Sequence, residues 1–195
     1  EGVDNPALLA VPFFIMAGNL MNAVGMTDKI FNFALSIVGH FRAGLAQVNV
    51  LSSMIFAGVS GAAVADCAGL GTVEIRAMRE RGYPADFAAA ITVASAVVGP
   101  IIPPSISLVI YAFLSNTSVA RLFLAGIIPG LVIGAALMIF NRIIAIRRDF
   151  PREKRASLRQ IGSTAVDGVL ALIAPGIILG AIITGYTTAT EAGVL

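Results

Sequence analysis

Two stretches of small and polar residues interrupt apolar parts of the chain, and both have the composition of an ion-binding backbone. The first is Gly58-Val-Ser-Gly-Ala-Ala-Val-Ala-Asp66, and the second, from Ser95 to Ser105, contains Gly99-Pro-Ile-Ile-Pro-Pro. Clustered glycines and three prolines within five positions do not fit one continuous helix, so both stretches predict irregular backbone. Such backbone offers carbonyl oxygens to a cation, and the helix N-termini beside it offer N–H groups to an anion.

The oxygen-bearing residues of these stretches are the candidate ligands. Hydroxyl and carbonyl oxygens are hard ligands of the kind that a sodium ion prefers, so the sequence predicts a sodium site and no other cofactor. The sodium candidates are Ser60, Gly61, Ser95 and Gly99. Thr92 can add a hydroxyl, and an anion placed between the first interruption and residues 99–105 would also meet Pro103 and Ser105.

Asp66 is predicted to be the only acid deep in the first half of the chain. An acid within a membrane segment is a functional candidate by default. Its alternative role is to cap a second helical arm from Cys67 to Met78. A packing role for both interruptions is the other alternative, because glycine and serine on membrane helices commonly allow close helix contact.

The residue types of the chain do not support catalysis or the binding of a transition metal. The chain has one cysteine, Cys67, and one histidine, His40, so it can form neither an internal disulfide nor a His/Cys metal cluster. One deep acid, one interfacial histidine and one apolar cysteine supply no nucleophile–base pair. The sequence therefore predicts that the chain is not an enzyme.

The overall composition predicts a membrane protein. Of the 195 residues, 57% are hydrophobic and 12% are charged, and the mean hydropathy is +0.91. Soluble domains carry about 25% charged residues, so this chain is expected to have lipid as its solvent. No basic stripe with interleaved aromatic residues is present, which argues against nucleic acid as a partner.

The hydrophobic pattern predicts an all-α polytopic protein with broken membrane helices. A short span at Leu8–Met21 precedes an in-plane helix whose polar stripe runs through Asp28, Asn32, Ser36 and His40. We expect a helical hairpin at 45–78, a broken helix at 86–115 and a clean span at 122–146. A basic linker at 147–160 leads to the last segment, 161–195, with a span at 166–186 and a capping box from Thr188 to Glu191.

The basic residues favour a hairpin that enters the membrane and returns on the same side. Lys and Arg near membrane segments prefer the cytoplasmic face. If 45–78 crossed the membrane once, Arg42 would face one compartment, and Arg76, Arg79 and Arg81 the other. With a re-entrant hairpin, only Arg121 of the 13 basic residues is left outside. The chain also opens without Met and stops inside an apolar run, so we expect an internal piece of a longer protein.

Several motifs, in their order and spacing, resemble the large membrane subunit of the tripartite ATP-independent periplasmic (TRAP) transporters. The motifs are Leu9-Ala-Val-Pro-Phe-Phe-Ile-Met-Ala-Gly18, Phe56-Ala-Gly-Val-Ser-Gly-Ala-Ala-Val-Ala-Asp66, Gly82-Tyr83, Phe87-Ala-Ala-Ala90, Val98-Gly-Pro-Ile-Ile-Pro-Pro-Ser105, Phe123-Leu-Ala-Gly-Ile-Ile-Pro-Gly130 and Thr188-Ala-Thr-Glu-Ala192. They cover nearly the whole chain. Two departures are Ala62, where the family usually has a serine, and Ala189, where it usually has a proline.

The resemblance implies an elevator-type secondary transporter with two inverted repeats in the bacterial inner membrane, residues 1–146 being the first repeat and residues 161–195 the start of the second. It implies sodium-coupled import of a small organic anion, such as a C4-dicarboxylate or sialic acid. The implied partners are a small TRAP membrane subunit, a periplasmic substrate-binding protein and the lipid bilayer. The alternative from a different class is a non-transporting scaffold subunit of a larger complex.

Overall fold

The computed structural model describes residues 6–148, 150, 153–188 and 191, in which the regular elements are all helices, joined by turns and loops. The side chains of residues 6–9, 147, 170 and 172 are not described. The helices of the described part are α1 (Pro6–Ala23), α2 (Met26–Val38), α3 (Gly44–Ser60), α4 (Ala63–Ala68), α5 (Leu70–Glu80), α6 (Ala85–Ala96), α7 (Ile106–Ser115), α8 (Val119–Arg148), α9 (Leu158–Asp167) and α10 (Val169–Ile183).

The first two helices occupy the segments predicted as a span and an in-plane arm, and they are bent by 73° between Ala23 and Met26. One face of α2 is buried, including Ile30, Phe31 and Ala34. The predicted polar stripe is only partly solvated. Ser36 is buried and its hydroxyl lies 3.1 Å from the Thr164 hydroxyl of α9, because α9 packs across the end of the stripe.

Helices α3, α4 and α5 form the predicted hairpin, with α3 as its buried centre. The turn between α3 and α4 is made at Gly61, whose φ of 59° is in the left-handed region that favours glycine. Ala62 is the N-cap of α4, and no side chain caps that helix. The prediction that Asp66 caps the second arm is therefore wrong, because the arm begins three residues earlier and Asp66 lies inside it.

The predicted broken helix is confirmed as two half-helices, α6 and α7, separated by residues 97–105, which we call the break. The chain leaves helical geometry after Ala96 and resumes it at Ile106. Ser105 is the N-cap of α7, where its side chain accepts a hydrogen bond from the Leu108 N–H. The three prolines of the break explain its shape, since they remove the backbone donors that a helix needs.

Within the described residues, one helix is long and apolar enough to cross a membrane alone, over Val119–Ile146. This helix, α8, contains Pro129 and continues through it. The bent pair α1 and α2 would make a second span if it counts as one segment. The shorter apolar helices are Gly44–Ser60, Ala85–Ala96, Ile106–Ser115 and Ile173–Ile183.

The two ends of the hairpin lie together at one face of the molecule. Tyr83, in the turn after α5, is hydrogen-bonded to the backbone of Leu45 near the start of α3. Burial raises the pKa of Tyr83 to about 12, so this hydroxyl stays neutral. Arg81 forms an ion pair with Glu153 of the basic linker. The ring of Phe150 lies 4.7 Å from that of Tyr83, so the linker covers both ends of the hairpin.

The last described segment differs from the prediction at its start. A separate helix, α9, precedes α10, and the two are divided at Gly168. The capping box is confirmed: the Thr188 N–H donates to Glu191 Oε2 at 2.8 Å, and the Glu191 N–H donates to Thr188 Oγ1 at 3.3 Å. Ala189 lies outside the described residues.

Candidate functional site

The tip of the hairpin, residues 60–62, lies directly against the break. The Ile106 N–H donates to the Gly61 carbonyl at 3.3 Å. A Cβ on Gly61 would lie 2.6 Å from the Pro104 carbonyl oxygen, and a Cβ on Gly99 would lie 3.3 Å from the carbonyl carbon of Ala62. The two irregular stretches predicted from the sequence are therefore in contact, and Gly61 could not carry a side chain there without displacing the backbone of the break.

Several oxygens at this contact have no hydrogen-bond partner among the described residues, and the Ser60 hydroxyl and the Gly99 carbonyl are two of them. The Ser60 hydroxyl is buried, with the residue 2% exposed, and makes no hydrogen bond. The Gly99 carbonyl has none either, because the residue four positions on is Pro103, which has no N–H. The neighbouring Pro100 carbonyl is satisfied by the Ser105 hydroxyl at 2.6 Å. An unsatisfied buried oxygen is costly, so Ser60 and Gly99 fit a bound cation.

Helices α1 and α10 enclose the tip. A Cβ on Gly18 of α1 would lie 3.3 Å from the Ser60 Cα, and a Cβ on Gly58 would lie 2.8 Å from the Pro175 Cβ of α10. Pro103 is buried beside this contact, with its carbonyl oxygen 3.9 Å from the same Gly58 position. Close packing by small residues thus seals the tip from two sides.

Thr92 and Ser95 belong to a buried polar network that joins α6 to α3. The Ser95 hydroxyl donates to Asn49 Oδ1 at 2.6 Å, and Asn49 Nδ2 donates to the Thr92 hydroxyl at 2.7 Å. The Ser53 hydroxyl donates to that of Ser95 at 3.2 Å. The residues of this network are at most 3% exposed. The sequence grouped Ser95 with Ser60, but the structure engages the Ser95 hydroxyl with Asn49.

Asp66 is 1% exposed, and neither of its carboxyl oxygens has a hydrogen-bond partner. The Ser53 side chain is close enough to interact with it, but the Ser53 proton is directed to Ser95. Asp66 is therefore a buried acid whose oxygens remain available. This position inside α4 is not that of a capping residue, and the functional role of Asp66 stays a prediction.

Glu74 is a second buried acid, and the sequence analysis missed it. It is 1% exposed on α5, its Oε1 lies 2.7 Å from the Ser52 hydroxyl, and its Oε2 has no partner. The prediction that Asp66 is the only deep acid is therefore wrong. The missed signal was helical periodicity: Glu74 falls on the same face of α5 as the buried Leu70, Ala77 and Met78.

The geometry of the tip and the break is typical of one class of membrane protein. Within the described residues, no group of three His, Cys, Asp or Glu side chains could hold a metal ion, whereas carbonyl and hydroxyl oxygens meet at two helix breaks. Helix breaks that bring such oxygens together are the arrangement in which membrane transporters bind ions and substrates. The fold and site therefore define a helical transport component.

Comparisons with known proteins give the family. The family model described as the tripartite ATP-independent periplasmic transporter, DctM component, matches residues 1–195, so the chain belongs to this family of TRAP large permeases. It is 48% identical over 191 residues to the sialic acid TRAP transporter large permease protein SiaM of Vibrio cholerae, covering 98% of the chain and 45% of the relative.

Two further relatives carry other substrate names. The chain is 42% identical over 193 residues to the 2,3-diketo-L-gulonate TRAP transporter large permease protein YiaN of Escherichia coli, covering 99% of the chain and 45% of the relative. It is 41% identical over 192 residues to the C4-dicarboxylate TRAP transporter large permease protein DctM of Pseudomonas aeruginosa, covering 98% of the chain and 45% of the relative. The chain thus spans about half the length of these permeases, which are transport proteins and not enzymes.

Proposed function

We propose that this chain supplies the first repeat of a multi-pass inner-membrane permease that imports small organic anions together with sodium. The observation that carries the proposal is the contact between tip and break, where the Ser60 hydroxyl and the Gly99 carbonyl are buried without hydrogen-bond partners. A cation would satisfy both oxygens. Sialic acid, C4-dicarboxylates and 2,3-diketo-L-gulonate, named for the relatives, are all organic acids.

In this proposal Ser60, Gly61 and Gly99 supply the oxygens that hold sodium. The anion lies along residues 99–105, near the N-terminus of α7, whose N–H groups favour negative charge. Thr92 and Ser95 fix α6 to the hairpin and so hold the break in position. Asp66 supports the hairpin beneath the tip. A bound cation beside an anion also lowers the cost of removing the anion from water.

The joined ends of the hairpin support the proposed membrane arrangement. Residues 44–80 enter and leave at the same cytoplasmic face, and α8 crosses the bilayer. A helix pair that leaves its irregular tip at membrane depth is stable only where protein or a polar cavity covers the tip. The proposed mechanism is an elevator in which two inverted repeats carry the site, with a small membrane subunit and a periplasmic binding protein as partners. A non-transporting scaffold is not favoured by the relatives, which are permeases.

The test is uptake of labelled organic acids by the full-length permease and its small subunit in liposomes, with the binding protein and an inward sodium gradient. For Ser60→Ala we expect the half-saturating sodium concentration to rise about tenfold, equivalent to about 1.4 kcal/mol. The free energy of unfolding should change by less than about 0.5 kcal/mol, because the Ser60 hydroxyl makes no hydrogen bond in the fold.

Ser115→Ala is the matched control, since Ser115 is an exposed serine at the C-terminal end of α7, away from the proposed site. An unchanged sodium requirement in Ser60→Ala would remove Ser60 from the site. Uptake that ignores the sodium gradient would leave a transporter but eliminate sodium as its coupling ion. Absence of uptake for every acid with its own binding protein would support the scaffold instead.

A further inference from the structure

Glu74 has no role in the proposed sodium site, although it is the other buried acid of the hairpin. It lies on α5, whereas the tip is at the far end of α3 and α4. Its Oε2 has no hydrogen-bond partner, and the residue is 1% exposed. The neighbouring acid, Asp66, is within electrostatic range and equally buried. Two ionised carboxylates placed together away from water would be strongly unfavourable.

No positive side chain compensates this pair within the described residues. Helix α3, which packs against both acids, has no titratable residue between Gly44 and Ser60, and α1 has none either. The charged residues of the other helices packed around the pair are all exposed: Asp28 and Lys29 of α2, Arg76, Arg79 and Glu80 of α5, and Asp86 of α6. Cys67 of α4 is half-buried and close enough to interact electrostatically with both acids.

The hydroxyl geometry around Glu74 indicates where its charge is neutralised. Ser52 Oγ lies within hydrogen-bond distance of both the Val48 carbonyl oxygen, at 2.5 Å, and Glu74 Oε1, at 2.7 Å. A serine hydroxyl has one proton and can donate to only one of these acceptors. When Ser52 donates to the Val48 carbonyl of the preceding helical turn, its contact with Glu74 is a hydrogen bond only if the Glu74 carboxyl carries a proton and donates it to Ser52.

Asp66 has no hydrogen bond that would stabilise a charge on it. Neither of its carboxyl oxygens has a partner among the described residues, and the residue is 1% exposed. The nearby Ser53 donates its proton to Ser95, and Ser95 donates its own to Asn49. No serine proton is therefore left for the Asp66 carboxyl, and an ionised Asp66 would be buried without compensation.

We propose that Glu74, with Asp66 beside it, forms a proton-binding site inside the hairpin, separate from the sodium site at the tip. The proton comes from water, binds a carboxyl oxygen and hydrogen-bonds to the serine of α3, and it returns to water when α5 separates from α3. Acids that take up and release protons in this way are a common device of membrane transporters. The site does not depend on which ion drives uptake.

The direct test is infrared spectroscopy of the full-length permease with its small subunit in lipid at neutral pH. A protonated carboxyl gives a C=O stretching band distinct from that of a carboxylate, and the band shifts in D2O. We expect this band in the wild type and in Glu80→Gln, a control at an exposed glutamate of the same helix. In Glu74→Gln the band should lose the intensity of one carboxyl group.

A second variant keeps the proposal testable if Glu74→Gln fails to fold. Ser52→Ala retains the acid but removes its acceptor, so the band should shift in frequency without losing intensity. Identical band intensity in Glu74→Gln and the wild type would overturn the proposal. So would a carboxylate signal from Glu74 at neutral pH that changes when sodium replaces choline, because that result would assign the acid to a metal cation. Sodium-driven uptake is measured separately, so failure of either proposal is distinguishable.

Discussion

At the scale of single residues, side chains of the same type have different environments. Ser60 and Ser95 were both predicted sodium ligands, yet the Ser60 hydroxyl has no hydrogen-bond partner while the Ser95 hydroxyl donates to Asn49 Oδ1. A buried oxygen without a hydrogen bond is suited to bind an ion, whereas a hydroxyl that is already hydrogen-bonded stabilises the packing of the helices it joins. The sequence could supply the residue types at these positions but not the direction in which each side chain turns.

Ser95→Ala provides a test of this distinction. The substitution leaves the buried Asn49 Oδ1 without its donor, so the free energy of unfolding should fall by about 1–3 kcal/mol. The half-saturating sodium concentration for uptake should stay close to that of the wild type. Chemical unfolding of the full-length protein in detergent measures the free energy of unfolding. Ser115→Ala, at an exposed serine of α7, is the control. A sodium requirement raised as much as in Ser60→Ala would instead make Ser95 a ligand.

At the scale of helices and turns, most of the fold could be predicted from composition and breaker residues. The hairpin predicted at 45–78 and the broken helix predicted at 86–115 match α3–α5 and α6–α7 closely. Glycine at the tip and proline in the break act on the local backbone, so their effect is visible in the sequence. The charged residues of α5 indicate an exposed helix, and only the helical periodicity of its apolar residues shows that Glu74 lies on the buried face. For that reason the burial of Glu74 was not predicted.

Other parts could not be predicted because they depend on contacts between distant segments. Helix α9 was not separated from α10, since the division at Gly168 leaves only a weak local signal. The burial of Ser36 arises from contact with α9, 128 positions away along the chain. The contact between the tip and the break likewise depends on Gly61 and Gly99, which have no side chains and let the two backbones come close. A local sequence pattern does not show that these two segments meet.

At the scale of the whole molecule, one face gathers the basic residues around the hairpin ends. Arg42 and Arg142 line a cavity of about 400 Å³ with His40 and Gln47. The ion pair between Arg81 and Glu153 joins the hairpin to the linker on this face. Charge in the sequence predicted this grouping, and the structure brings the same segments together.

This grouping of basic residues predicts the topology of the hairpin in the full-length protein. Cysteine labelling tests it, in a background without other reactive cysteines. Arg42→Cys and Arg81→Cys should both react with a membrane-impermeant thiol reagent only when it reaches the cytoplasmic face. Arg121→Cys, at the start of α8, should react only from the periplasmic face. Labelling of Arg42→Cys and Arg81→Cys from opposite faces would show that 44–80 crosses the membrane and is not re-entrant.

The central claim is that the tip and the break form a single sodium site. Its most direct measurement is the rate of thiol modification of Ala62→Cys at the tip of the full-length permease, with sodium or choline as the only monovalent cation. We predict that sodium slows modification about tenfold, the effect of about 1.4 kcal/mol of cation binding, and that it leaves an Arg79→Cys control on the exposed end of α5 unchanged. Equal rates in sodium and choline, in a protein whose uptake still requires sodium, would contradict the claim and place the ion elsewhere.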